Sequence, residues 1–153
     1  MIEEEDLVQI ITIDFETYYD KKYSLSKLTT EEYINDTRFQ VIGVGVKVNA
    51  NKAEWFSGTH DEIYQWLHQF DWEHSCATAH NAMFDAAILS WHFDIRPPRW
   101  TDTLSLARAV DGVHVSNSLK AACERWKIGK KGTEVVDALG KRREDFTPED
   151  LAQ

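Results

Sequence analysis

Asp14 and Glu16 stand one residue apart in the run Ile11-Thr12-Ile13-Asp14-Phe15-Glu16-Thr17, at the end of a segment that reads as a buried strand. Side chains at i and i+2 of a strand share a face, so the two carboxylates point the same way. Like charges held side by side repel unless a cation or a shared proton neutralises them. An oxygen-only pair of this kind is the beginning of a hard-metal site, suited to Mg²⁺ or Mn²⁺. The plain alternative is a pair of solvent-facing residues on a half-buried strand. A third carboxylate can join them from Ala77-Thr78-Ala79-His80-Asn81-Ala82-Met83-Phe84-Asp85-Ala86-Ala87-Ile88-Leu89, where a small-residue strand end runs into a helix that Asn81 can cap. Asp85 falls about one helical turn after Asn81 on the same face, among the apolar Phe84, Ile88 and Leu89.

Elements that position these acids follow from the apolar pattern. Val8 to Asp14 reads as a first strand and Phe39 to Val48 as a second, with Gly43 and Gly45 allowing a bulge or a close backbone approach. Asn49-Ala50-Asn51 turns into a short third strand around Ala53 to Phe56, completing an antiparallel meander. Thr59 can cap a helix through about Phe70, whose Ile63, Trp66, Leu67 and Phe70 recur at helical spacing as core. A strand at Cys76 to Ala79, a helix from Asp85 to about Phe93, a Pro97-Pro98 break and a strand near Trp100 to Asp102 imply parallel crossovers. Residues 18–36 form an excursion with a helix in Thr30 to Asn35, Thr30 as its cap, serving either as a substrate wall or as a packing flap. Asp102 or Thr103 caps the helix that follows, and Ser118 opens another.

The order Asp14-Phe15-Glu16-Thr17, then His80-Asn81-x-x-Phe84-Asp85, resembles the first two motifs of the proofreading-type 3′–5′ exonucleases, the DEDD superfamily. Flanking text from Leu28 to Tyr33 and from Phe39 to Val46 most resembles the exonuclease domain of bacteriophage family A DNA polymerases. The resemblance runs from Ile11 to Gln153 and implies a single domain over 1–153 with an α/β, ribonuclease H-like mixed sheet flanked by helices. It also implies two divalent cations, Mg²⁺ or Mn²⁺, held by Asp14, Glu16 and Asp85, with Asp14 bridging both. By the same resemblance Glu16 holds the ion that activates a water, Asp85 binds the other, Thr17 reaches a 3′ hydroxyl or phosphate, and Asn81 orients Asp85 or the scissile group. Phe15 and Phe84 are candidates to stack on or wedge terminal bases, with ordinary core as the alternative for each. His80 lies beside the second motif and reads as a strand-end polar residue, with substrate contact as the other role.

One departure stands out. The family completes its site with a fourth carboxylate, an Asp four residues after a Tyr or five after a His on a late helix, and no such spacing follows Cys123. Residues 145–153, with Thr147 capping a start at Pro148-Glu149-Asp150, read as the run-up to that helix. The expectation is therefore an artificial truncation or a natural fragment ending before the third motif. Asp102, Asp137, Asp145 and Asp150 are weaker substitutes for the missing acid.

Composition narrows the classes. The chain has 153 residues, 42% of them hydrophobic, enough for one core. Cys76 and Cys123 make no metal-ligand pair by spacing, no apolar run approaches the roughly 20 residues of a membrane span, and no charged-then-apolar leader opens the chain, so a cytoplasmic protein, in a host cell if phage-encoded, is expected. Net charge is −9, which argues against a generic nucleic-acid coat. A carboxylate site regains positive charge through its cations, and local basic segments remain: Lys21-Lys22, Lys127 to Lys131 and Lys141-Arg142-Arg143. The expected partner is the 3′ end of single-stranded DNA, with a polymerase domain attached or separate. An inactive binding module of the same fold and a ribonuclease or oligonucleotide trimmer are the alternatives.

Overall fold

The structure, a computed structural model, describes residues 8–129 and 138–152. Asp137, Lys130, Lys131, Gly132 and the first and last residues of the chain lie outside the described residues. Strand β1 (Gln9–Thr17) buries Ile11, Ile13 and Phe15, while Thr12 and Asp14 are exposed and Glu16 is half-buried. The strand runs three residues beyond the expected Asp14, so both acids sit on regular pleat. Strand β2 (Val41–Val48) pairs antiparallel with β1, and β3 (Glu54–Phe56) antiparallel with β2, as the meander predicts. Strands β4 (Ser75–Ala79) and β5 (Arg99–Asp102) add in parallel on the other side of β1, giving the order β3-β2-β1-β4-β5.

Helix α1 spans Thr30–Asn35 as expected, but its cap lies one residue before the predicted Thr30. Thr29 takes the cap position, accepting from the Glu32 N–H while the Glu32 carboxylate accepts from the Thr29 N–H. The reciprocal pair satisfies two donors that a Thr30 cap leaves open. Helix α2 (His60–Leu67) has the predicted Thr59 cap in the same reciprocal arrangement with Glu62 and buries Ile63 and Leu67. It stops short of Phe70, which leaves the helix and meets Trp66 edge-on. Helix α3 (Ala82–Phe93) starts a turn before Asp85 and buries Ile88, Leu89 and Phe93. These three helices cover the face of the sheet that carries Ile11, Ile13, Phe15, Val44, Val46, Ala77 and Ala79.

Residues 18–36 belong to this core layer. Tyr23 and Tyr33 are buried and stacked at 4.5 Å between ring centroids, Tyr18 stacks on Tyr23, and the Tyr23 hydroxyl donates to the Tyr33 carbonyl. The packing reading of the excursion accounts for these contacts. Helices α4 (Thr103–Asp111) and α5 (Leu119–Trp126) bury only Ala107 and Ala122 and leave Leu106, Val110 and Trp126 exposed, as is Ile128 just after α5.

Beyond them, residues 138–152 form a strap with 3₁₀ turns at Arg143–Asp145 and Asp150–Ala152. Its Gly140 N–H donates to the Tyr19 carbonyl, Arg143 N–H to Gln40 Oε1, and Trp55 Nε1–H to the Leu151 carbonyl at 2.5 Å. Among the described residues no helix is long and apolar enough to cross a membrane.

Candidate active site

Pairing register decides what surrounds the two acids of β1. Asp14 lies opposite Gly45 and Glu16 opposite Gly43 on β2. On β2 the residues directly opposite the two carboxylates are thus both glycines. Gly43 is required for a second reason: a Cβ there would fall 2.2 Å from Cζ2 of Trp55, whose ring lies across the glycine. The register shifts by one residue between Glu16 and Thr17, which ends the regular pairing where a site needs an open edge. Of the two roles expected for the glycines, the irregularity in pairing occurs beside Gly43, and the group that approaches it most closely is the Trp55 side chain.

Asp85 reaches the same corner from α3. It is 3% exposed, and its Oδ1 accepts the Phe15 N–H at 3.0 Å, the backbone link between Asp14 and Glu16. Burial pushes its carboxyl up to about 7; the charges of Asp14 and Glu16 push the same way, and the Phe15 N–H opposes them. A carboxyl poised near neutrality beside two others is the electrostatic mark of a cation or proton site.

Among the described residues no group of three or more His, Cys, Asp or Glu side chains is drawn together within ligating reach of one point. The titration of Asp85 nevertheless feels both partners. The sheet register and the Phe15–Asp85 bond bring the three residues to the same end of β1. The donor set, three carboxylates and no sulfur or imidazole, fits a hard divalent cation.

The remaining predicted residues distribute unevenly. Thr17 Oγ1 is 2.8 Å from the Tyr33 hydroxyl, which itself donates to the Tyr18 carbonyl. Phe15 is 4% exposed and stacked on Phe93 at 5.7 Å, on the opposite face of β1 from Asp14 and Glu16. Strand alternation puts its ring in the core, away from any base held by the carboxylates. Phe84 is half-buried, its ring 6.0 Å from that of Tyr33. His80 has both ring nitrogens engaged, Nδ1 with Thr103 Oγ1 and Nε2 with the Asn117 carbonyl, each at 2.9 Å; it ties β4 to the segment before α5.

Asn81 occupies the cap position of α3 in the left-handed conformation, φ 72° and ψ 58°, and its side chain makes no cap bond. That corrects the expected Asn81 side-chain cap. The Asn81 N–H instead donates to Asp102 Oδ1 at 2.9 Å, and the same oxygen accepts the Leu104 N–H at 3.0 Å. Asp102 thus caps α4 as expected and also holds the entry to α3, a role its position in the sequence does not disclose.

Of the candidate substitute acids, Asp145 Oδ2 accepts the Arg142 N–H and Asp150 Oδ2 accepts the Thr147 N–H, so both serve local turns. The strap brings Lys141-Arg142-Arg143 beside the loop that carries Lys21 and Lys22. The Arg142 guanidinium lies 4.1 Å over the Tyr18 ring, and that of Arg38 lies 4.6 Å over Tyr23.

No family model matches the chain, and no curated protein matches it in sequence. Solved structures do. Brucella melitensis NrnC with bound Mg²⁺ superposes with a TM-score of 0.57 at 14% identity, covering 97% of this chain and 65% of that one. The same protein bound to pGG gives 0.61 at 14% identity over the same shares, so the chain spans about two thirds of the length of this neighbour. The family B DNA polymerase of Pyrobaculum calidifontis gives 0.54 at 17% identity, covering 81% of this chain and 19% of the polymerase. With the five-stranded mixed sheet, these likenesses show the fold: this chain has a ribonuclease H-like fold, a mixed sheet flanked by helices.

Proposed function

We propose that this chain is the catalytic core of a divalent-metal-dependent 3′–5′ exonuclease acting on single-stranded 3′ ends, as in the proofreading domain of a phage family A DNA polymerase. What supports the proposal is the bond that ties Asp85 to β1 at Phe15, the residue between Asp14 and Glu16, with the Asp85 carboxyl raised to about 7 by burial and by the charges of those two acids. The likeness of the fold to a nuclease with bound Mg²⁺ supports a metal-dependent hydrolase.

Divalent cations bound there would supply Lewis-acid polarisation of the phosphodiester and a more acidic water. Asp14, exposed on β1, would be shared between two such ions; Glu16, beside the register shift, would help hold the ion that makes a water more acidic; Asp85, in the first turn of α3, would hold the other once ionised. Phe84 and Asn81, next to Asp85, are the residues to meet the terminal nucleotide, with Thr17 behind Glu16.

A second reading, the trimming of short oligonucleotides, is favoured by the likeness to a structure bound to pGG. An inactive module of the same fold that binds single-stranded ends is a third. Digestion of 5′-labelled DNA and RNA strands in Mn²⁺ or Mg²⁺, with Asp14→Ala and EDTA controls, separates them. A ladder shortening from the 3′ end that both controls erase supports the exonuclease. Cleavage unchanged in Asp14→Ala overturns the site assignment. Metal-dependent binding without cleavage, lost in Asp14→Ala, favours the binding module.

A further inference from the structure

We infer that Asp102 is the positioning residue for Asp85: a clamp that holds the first turn of α3 against β1 so that the Asp85 carboxylate stays in the metal corner. The inference rests on the metal-site reading above and adds a residue that touches neither metal nor substrate.

Three donors converge on this side chain: Oδ1 accepts the N–H groups of Asn81 and Leu104, and Oδ2 accepts the Ser105 hydroxyl at 3.0 Å. Burial opposes ionisation of Asp102, and the donors around it outweigh burial, holding the carboxyl below its ordinary value. An ordinary helix cap satisfies donors of one helix. This carboxylate joins the starts of two, α3 and α4, which flank the C-terminal ends of β4 and β5.

The geometry at Asn81 shows why a clamp is needed. Asn81 takes φ 72°, in the left-handed region that non-glycine residues keep only with support from their surroundings, asparagine more readily than most. Its own side chain makes no cap bond, and among the described contacts the carboxylate of Asp102 holds its N–H. Asp85 lies one turn on, joined to β1 through the Phe15 N–H. Releasing Asn81 lets the first turn of α3 rotate, and the side chain that moves with it is Asp85. Partners one step removed from a metal's ligands commonly change affinity about 10-fold to 100-fold.

The test uses the full 153-residue chain. Asp102→Ser keeps a good cap for α4 but has one oxygen on a shorter side chain, too little to hold both helix starts. Asp102→Asn keeps an acceptor at the same reach. Mn²⁺ affinity is measured by titration in both variants, in Asp14→Ala, and in Ile63→Val, a core truncation in α2 remote from the site that matches a general loss of stability. The amide resonance of Phe15 in metal-free protein reports the position of Asp85.

Asp102→Ser is expected to weaken Mn²⁺ binding about 10-fold and to move the Phe15 amide, with Asp102→Asn restoring affinity to within about 3-fold and Ile63→Val changing neither. Unchanged affinity in Asp102→Ser, equal losses in Asp102→Ser and Ile63→Val, or an Asp102→Ser chain that does not fold overturns the clamp, the last because the residue would then hold the fold as a whole. No Mn²⁺ binding by the wild type, or equal binding by Asp14→Ala, overturns the metal-site reading itself.

Discussion

Replacing Asp85 with asparagine should stabilise the protein at pH 8. Raising a carboxyl from its ordinary 3.8 to about 7 makes the ionised folded state about 4 kcal/mol less favourable than the ionised unfolded one, at about 1.4 kcal/mol per pH unit. The sign follows from proton binding. Below pH 3.8 Asp85 is protonated in both states and contributes no penalty. Between about 4 and 7 the folded state holds the proton that the unfolded state has lost, so the penalty grows with pH; above 7 it is constant. The asparagine side chain has nearly the same volume and keeps an oxygen for the Phe15 N–H, so it escapes the penalty without leaving a cavity. The difference between Asp85→Asn and wild type in urea unfolding, in EDTA, should rise from near zero at pH 3.5 to about 2–4 kcal/mol at pH 8. Using the difference cancels the opposite trend of carboxylates such as Asp36, which the Arg38 guanidinium holds down to about 2. Mn²⁺ added at pH 8 should then reverse the order, because a cation favours the ionised carboxylate. A mutant curve parallel to wild type across this range, or a mutant less stable at pH 8, would refute the reasoning.

Three further outcomes are expected. Gly43→Ala places a Cβ 2.2 Å from the Trp55 ring, which must swing away and lose its bond to the Leu151 carbonyl; a cost of about 1 kcal/mol and altered tryptophan emission should follow, and an unmoved spectrum would contradict the contact. Tyr33→Phe removes the hydroxyl shared by Thr17 and the Tyr18 carbonyl and should cost about 1–3 kcal/mol by chemical denaturation; a neutral result would mean that water replaces the bond. Arg142→Gln should weaken single-stranded nucleic-acid binding and flatten its salt dependence by about 0.7 in log–log slope per lost phosphate contact, whereas an unchanged slope would place the strand elsewhere.

Strand and helix identities were readable because each local signal had a local cause. Alternation in residues 11–16 placed Asp14 and Glu16 on one face, and Thr59 or Ser118 before an amphipathic run marked a helix start. Thr29 and Thr30 could not be told apart by type; the Glu three residues after Thr29 was the available discriminator, through the reciprocal cap. The inward turn of Phe15 was implicit in the alternation that exposes its neighbours. What was not legible depends on contacts across long stretches of chain. These include the Phe15 N–H on Asp85, Asp102 under Asn81, and the Tyr18-Tyr23-Tyr33 stack that turns a mixed polar and apolar excursion into core. The pairing of Asp14 and Glu16 with glycines was visible only in part, since two glycines suggested close approach without fixing the register.

The strap of residues 138–152 bears on the order in which this molecule assembles. Its bonds join residues about a hundred positions apart: Gln40 with Arg143 and Glu144, Arg38 with Arg142, Trp55 with Leu151. Such closures gain little until both ends are already placed. The meander of β1, β2 and β3 must therefore exist before the strap can find Tyr19, Gln40 and Trp55. Largely exposed and held by single hydrogen bonds, it is also the segment to open first. Amide exchange should show Gly140 and Arg143 losing protection well before Ile13 or Val44, with release of the strap a step separate from unfolding of the sheet.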